Sequence, residues 1–231
     1  VTPGGRGGWE TELMQIQVVQ DLICPWCRIG KRNLDTALAR YRQQHDEPVE
    51  VEWVPFLLDA VEPGSKEPFQ ERLRLRKGLS HEQIQQMFAR TVEAGKAVGL
   101  TFNFDRIEVA VDTIPGHQMI ALAPEAHQSP LLDAVHTAYF EEGKDIGDPA
   151  VLEALAVAVG VPTEAIATFR QAWESDELRI ELVRVVQQVQ SAGISGVPFF
   201  IIDSRLGVNG AQPAEVLREA FAQAKQVPSA D

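Results

Sequence analysis

Cys24 and Cys27 are the only cysteines among 231 residues, and only Pro25 and Trp26 separate them. That spacing admits three chemistries: a redox-active dithiol, half of a metal site, or two unrelated core thiols. A closed tetrahedral zinc site needs four ligands. The chain has no second CxxC, and its five histidines (His45, His81, His117, His127 and His136) show no metal-finger pairing. No metal is therefore expected. Two unrelated thiols do not usually fall at a strand-to-helix junction with Pro-Trp between them, so the dithiol is the favoured reading.

The junction is read from the flanking residues. QIQVVQDL, residues 15–22, puts Ile16 and Val18 on one side and reads as a strand. RIGKRNLDTALARYRQQ then places Ile29, Leu34, Leu38 and Tyr41 at helical spacing. Cys24 falls at the helix N-terminus and Cys27 one turn inside. A helix N-terminus carries partial positive charge and free N–H groups. In such motifs a thiol pKa falls from about 8.5 to roughly 3.5–7.5. Cys24 is then the exposed nucleophile of disulfide exchange, and Cys27 attacks back to release the mixed disulfide. Pro25 suits the first turn because it has no N–H to leave unpaired. Trp26 shields the pair and offers an apolar face to a substrate peptide, and Arg28 and Lys31 add positive potential nearby.

SGVPFF places Pro198 at the start of a later strand, after Gly196 and Val197. X–Pro is the one bond where cis is cheap. A cis-proline here would present the Val197 backbone to an extended substrate, as in strand addition; a trans proline opening an edge strand is the alternative. Joined to the CxxC in this strand order, cis is favoured.

A second strand lies in VEVEWVPF, where Val49, Val51 and Trp53 alternate with glutamates. Strand signals then stop for over a hundred residues. Ser80 and Gln83 stand at capping-box spacing, with Gly99 as a stop. Asp148 and Pro149 open another helix that Gly160 ends, and SDELRIELVRVVQQVQSAGI is a third, ending near Gly193. Strands return at GVPFFIID and LGVNGA, and QPAEVLREAFAQAK closes the chain as a helix. The order predicts an α/β domain from residues 13–61 and 189–227, with an all-helical insertion at 62–188 and a flexible leader at 1–12. KEPFQERLRLRKG reads as a helix with an exposed charged face; nothing in the sequence ties Arg72, Arg74 or Arg76 to a substrate.

Composition removes other classes. A net charge of −12 lacks the basic footprint of a general nucleic-acid binder. No run of about 18 apolar residues predicts a membrane span. VTPGGRGGWETELMQ lacks the apolar core of a secretory signal, and two cysteines are too few for a stapled scaffold. A soluble, cytoplasmic monomer is expected.

CPWC after a first strand, the helical block and the GVP loop resemble the thioredoxin superfamily, in its DsbA-like branch. The segments CPWCRIGKRNLDTAL, AYFEEGKDIGDPAVL, SGVPFFII and VNGAQP are most similar to FrnE-like proteins. The resemblance implies a thioredoxin fold with a helical insertion and thiol–disulfide oxidoreductase or isomerase activity without a cofactor. It implies Cys24 as nucleophile, Cys27 as resolving thiol and Pro198 as the cis-proline; Pro25, Trp26 and Val197 are read beside them as substrate contacts. Its partners would be protein thiols and disulfides, with glutathione or a thioredoxin-type protein for recycling. One stretch departs from the pattern: DTIPGHQM has Asp112, Pro115, Gly116 and Gln118 where relatives carry other residues. His117 keeps its place there and is a candidate to face the site. Some relatives carry a further cysteine pair near the C-terminus that this chain lacks. Asp21, three residues before Cys24, either modulates its proton or is a solvated strand-end carboxylate, and the solvated reading is favoured.

Two other functions stay open: a glutathione-dependent isomerase of the 2-hydroxychromene-2-carboxylate type, and a non-catalytic peptide-binding holdase. Both cysteines count against the first, whose motif tends to begin with serine. Redox direction is not legible, because related dithiols span roughly −270 to −120 mV.

Overall fold

Four short strands form one sheet. The computed structural model describes residues 13–173 and 175–227; the expected leader lies outside them. Strand β1 (Met14–Gln20) is followed by helix α1 (Pro25–Tyr41) and strand β2 (Val49–Pro55). After a long helical block come β3 (Phe199–Ile202), β4 (Leu206–Asn209) and the last helix, α9 (Ala214–Ala224). The sheet order is β2-β1-β3-β4. β1 runs parallel to β2, with Val18 beside Trp53, and antiparallel to β3, with Val18 beside Phe200. β1 stops two residues before the expected Leu22. The chain turns there, and the Asp21 carbonyl accepts the Cys24 N–H at 3.0 Å.

The block between β2 and β3 is helical, as expected. It holds α2 (Phe69–Lys77), α3 (His81–Ala97), α4 (Ile114–Leu122), α5 (Glu125–Phe140), α6 (Pro149–Ala158), α7 (Thr163–Trp173) and α8 (Asp176–Ser191). Where the sequence carries a cap, the helix starts at it. Ser80 Oγ accepts the Gln83 N–H at 3.2 Å while Gln83 Oε1 accepts the Ser80 N–H at 2.8 Å. Asp148 Oδ1 accepts the Ala150 N–H at 2.9 Å. α8 runs without a break through residue 188, the expected end of the insertion.

α4 carries no readable helical stripe, for a physical reason. Seven of the nine residues of α4, from Ile114 to Ile120, are buried. A helix covered all round has no polar face to set a 3.6-residue period. It packs against α5, α6, α7, α8 and β2. α5 carries Pro130 inside it, and its buried residues all follow that proline, from Leu131 to Phe140.

The core falls into four clusters, the smallest of which joins Ile114 of α4 to Leu182 and Val186 of α8. One face of the sheet buries Ile16, Val18, Phe200 and Ile202 against Leu34 and Leu38 of α1 and Leu217 and Phe221 of α9. The other face packs Val19, Val54 and Phe56 against Val185 and Val189 of α8. The helical block has its own large core, and Leu22 and Ile29 belong to it. These two residues bracket the cysteine motif. Their burial holds the motif in the seam between the sheet domain and the insertion.

Candidate active site

Cys24 is the N-cap of α1. Its backbone is extended (φ −87°, ψ 109°), and its sulfur accepts the Cys27 N–H at 3.3 Å. Pro25 takes the first helical turn, where the missing N–H costs nothing. The Val197–Pro198 bond is cis. The Val197 carbonyl comes back to the motif and accepts from Cys24 Sγ at 3.6 Å. Gly30 lets α1 approach this loop closely: a Cβ there would lie 2.9 Å from Pro198 Cγ. The structure thus brings Cys24, Cys27, Pro25, Trp26, Val197 and Pro198 together from two ends of the chain.

The two thiols differ less in exposure than expected. Cys24 is 4% exposed and Cys27 3%, so Cys24 is not an exposed group. They differ in what they face. Cys24 lines a cavity of about 280 Å³ with Pro25, Trp26, Gly196 and Val197, whereas Cys27 does not reach it. Trp26 is 43% exposed beside it. Burial pushes the Cys27 thiol well above its ordinary value. The hydrogen bond and charge of Cys24 push it further, against a backbone hydrogen bond with Asp21 that lowers it. The arrangement separates one cavity-facing thiol from one sealed, proton-holding thiol a helical turn away.

Beneath the pair lies a buried acid. Asp21 is fully buried, which overturns the solvated reading. Its Oδ2 accepts the Leu58 N–H at 2.7 Å, and its Oδ1 lies 3.4 Å from His117 Nε2. His117 is 5% exposed and absent from the cavity wall. It therefore faces the underside of the motif through Asp21, not a substrate in the cavity. The departures around it have local work. Asp112 Oδ1 accepts the Ile114 N–H at 3.1 Å, and its Oδ2 accepts from Arg179 at 2.8 Å, tying α4 to α8. A Cβ on Gly116 would lie 2.4 Å from Leu22 Cδ1, so glycine lets α4 press against the residue two before Cys24.

Arg28 and Lys31 do not lend the cysteines free positive charge. Both are buried and paired. Arg28 bonds the Thr101 carbonyl at 2.7 Å, reaches the Glu141 carboxylate and lies over the Phe102 ring. Lys31 holds Asp35 at 2.9 Å and Asp133 at 2.7 Å. They fasten α1 to the insertion.

Sequence reasoning missed most of the cavity wall. Leu58, Asp59, Phe69, Arg72, Leu73 and Arg76 line it from β2's exit and α2. The only sequence signal was the apolar–basic alternation of RLRLRK, which reads equally well as a solvated helix face. Among the described residues no three His, Cys, Asp or Glu side chains converge as a metal site. Among them, too, no helix is long and apolar enough to cross a membrane.

Comparison with known proteins agrees with this geometry. A crystal structure of a probable DsbA oxidoreductase, SCO1869 from Streptomyces coelicolor, superposes with a TM-score of 0.78 at 31% identity, covering 94% of this chain and 92% of that one. The protein YwbO of Bacillus subtilis (strain 168) is 25% identical over 90% of this chain and 96% of its own length. The cytosolic disulfide reductase DsbM from Pseudomonas aeruginosa, solved with GSH, shares the fold at a TM-score of 0.64 and 17% identity, over 92% of this chain and 98% of its own. Residues 15–222 match the DsbA-like thioredoxin domain, a family of thiol–disulfide oxidoreductases, and so the chain belongs to it.

Proposed function

We propose that the chain exchanges disulfides through a Cys24–Cys27 dithiol, with Cys24 as attacking and Cys27 as resolving thiol. One observation carries this reading: Cys24 alone of the two lines the cavity, at a helix N-terminus with the Cys27 N–H on its sulfur. That sulfur stands at the N-cap of α1 and accepts the Cys27 N–H at 3.3 Å. Cys24 thiolate attacks a substrate disulfide and expels one thiolate. Cys27 then gives up its proton and attacks Cys24 Sγ, so the second substrate thiolate leaves and the Cys24–Cys27 disulfide forms. Val197 and Pro198, with Pro25 and Trp26, form the surface against which the substrate lies.

The substrates are protein thiols and disulfides. Recycling by glutathione or a thioredoxin-type partner, action as a monomer and a cytoplasmic site complete the reading. So does a division into a sheet domain (13–61 and 189–227) with residues 62–188 inserted. The narrower likeness to FrnE-like proteins rests on the sequence segments around the motif. Cys27→Ser should accumulate a mixed disulfide with a model substrate, seen by non-reducing mass spectrometry, and Cys24→Ser should not. Full activity of Cys27→Ser with glutathione present would instead support a glutathione-dependent isomerase. Unchanged peptide binding by Cys24→Ala/Cys27→Ala, with no disulfide exchange by the unmodified protein, would support a holdase.

A further inference from the structure

The cavity beside Cys24 has a character of its own. In a chain of net charge −12, its lining holds three cations (Arg72, Arg76 and Lys77) against one carboxylate, Asp59. Arg72 is occupied by Asp59 at 2.9 Å and Glu67 at 2.6 Å. Arg76 lies 3.4 Å from Asp59 and also holds the Leu58 carbonyl. Lys77 lines the same cavity, and among the described residues its ammonium has no ion-pair partner. All three cations sit on α2, a helix with no fully buried residue, which lays Phe69 and Leu73 over the cavity. Phe88, Phe104 and Val111 extend the apolar lining, with Phe88 stacked beside Phe69 at 6.0 Å between ring centres.

Size limits the occupant. At about 280 Å³ the space falls just below the range of small-molecule pockets, roughly 300–1,000 Å³. It takes one small organic body and not a folded loop. An apolar wall ending in cations fits a ring bearing an anionic group.

We infer that the cavity seats one half of a low-molecular-weight aromatic disulfide carrying an anionic group, its ring among the apolar side chains and its anion toward Lys77 and Arg76. This deepens the dithiol reading and rests on it. Cys24 thiolate forms a bond to the near sulfur while the S–S bond breaks, and the far half leaves as a thiolate. Cys27, losing its proton to solvent, then bonds to Cys24 Sγ and releases the seated half. The small disulfide gains two electrons and becomes two thiols, and the protein is left with its disulfide. A thiol reductant of the glutathione class restores the dithiol.

The test is single-turnover reaction of the reduced protein with four disulfides. Dithiobis(nitrobenzoate) is aromatic and anionic, and dithiodipyridine is aromatic and neutral. Glutathione disulfide is aliphatic and anionic, and hydroxyethyl disulfide is aliphatic and neutral. Each rate is divided by the rate with free dithiothreitol, which removes intrinsic reactivity. The aromatic anion should exceed glutathione disulfide about tenfold, from burial of the ring, and dithiodipyridine about threefold, from the cation. Lys77→Glu should bring the second ratio below one, and Lys77→Gln should bring it to about one. Equal normalised rates for all four, or a charge preference untouched in both variants, would overturn the inference and leave the dithiol reading standing. No reaction with any of them would overturn both. A short peptide disulfide with Phe and Asp beside its cysteine, if it outran the aromatic anion, would assign the cavity to a protein side chain instead.

Discussion

If Cys27 is sealed as the structure has it, its proton should be visible in the protein's stability. Burial is the first cause of its raised pKa, ahead of the hydrogen bond and charge from Cys24. Cys24→Ser removes the second thiol and leaves burial in place, so that background isolates Cys27. The folded protein then holds the Cys27 proton more tightly than the unfolded chain does. Its contribution is whole below about pH 8.5, where the unfolded thiol titrates, and is lost as pH rises from there toward the folded value. One proton is worth about 1.36 kcal/mol per pH unit. From pH 8.5 to pH 10, Cys24→Ser should therefore lose about 2 kcal/mol more than Cys24→Ser/Cys27→Ser. Urea denaturation of the two variants at several pH values measures the difference, and the ultraviolet absorbance of thiolate follows the ionisation itself. Parallel stability curves, or thiolate appearing in folded Cys24→Ser with a midpoint at or below about pH 8.5, would refute the reasoning. For the proposed exchange the consequence is that Cys27 keeps its proton at neutral pH, in keeping with a resolving rather than an attacking role.

His136 is fully buried, with neither ring nitrogen bonded among the described residues, and burial, then the charges of Arg28 and Lys31, hold its pKa well below the ordinary value. Its contribution is whole above about pH 6.5 and falls by about 1.36 kcal/mol per unit as pH drops below that. His136→Leu should remove one proton's worth of that slope in urea melts, and an unchanged slope would count against it. Gly30→Ala sets a helix-propensity gain of about 1 kcal/mol against overpacking of about 1–3 kcal/mol. The Cβ would meet Pro198 Cγ at 2.9 Å and Phe200 Cζ at 3.2 Å. A net loss of about 1 kcal/mol in denaturation, with slower mixed-disulfide formation, is expected; a stabilised variant would contradict it. Gly143→Ala should cost more, about 3 kcal/mol. Gly143 has φ 72°, and a Cβ would lie 2.1 Å from the Arg106 carbonyl oxygen, a backbone atom with little room to yield. A loss under about 1 kcal/mol in the same melts would mean the two loops part easily.

Legibility followed the range of the interaction. The strand, the Cys24 cap, Pro25 in the first turn and the Ser80–Gln83 box rest on neighbours one to four residues apart, and each was readable. The end of β1 was read two residues too far because the turn at Asp21 looks, by composition, like more strand. α4 was not read as a separate helix, since near-complete burial erased the periodicity that marks a helix. Arg28 and Lys31 were read as free positive charge because their partners, Glu141 and Asp133, stand 113 and 102 positions away.

The sequence by itself determined that a dithiol stands at the mouth of a helix, that a proline loop belongs to the same sheet, and that helices interrupt it. Those are matters of local backbone chemistry and of apolar period. Only the tertiary structure decided that both thiols are buried and that Cys24 alone meets the cavity. It alone decided that Asp21 and His117, 96 positions apart, share a buried contact, and that α2 closes the cavity with cations. Burial and charge pairing depend on which distant segments pack together. A carboxylate or an arginine has the same local signature whether it meets water, a partner or a substrate.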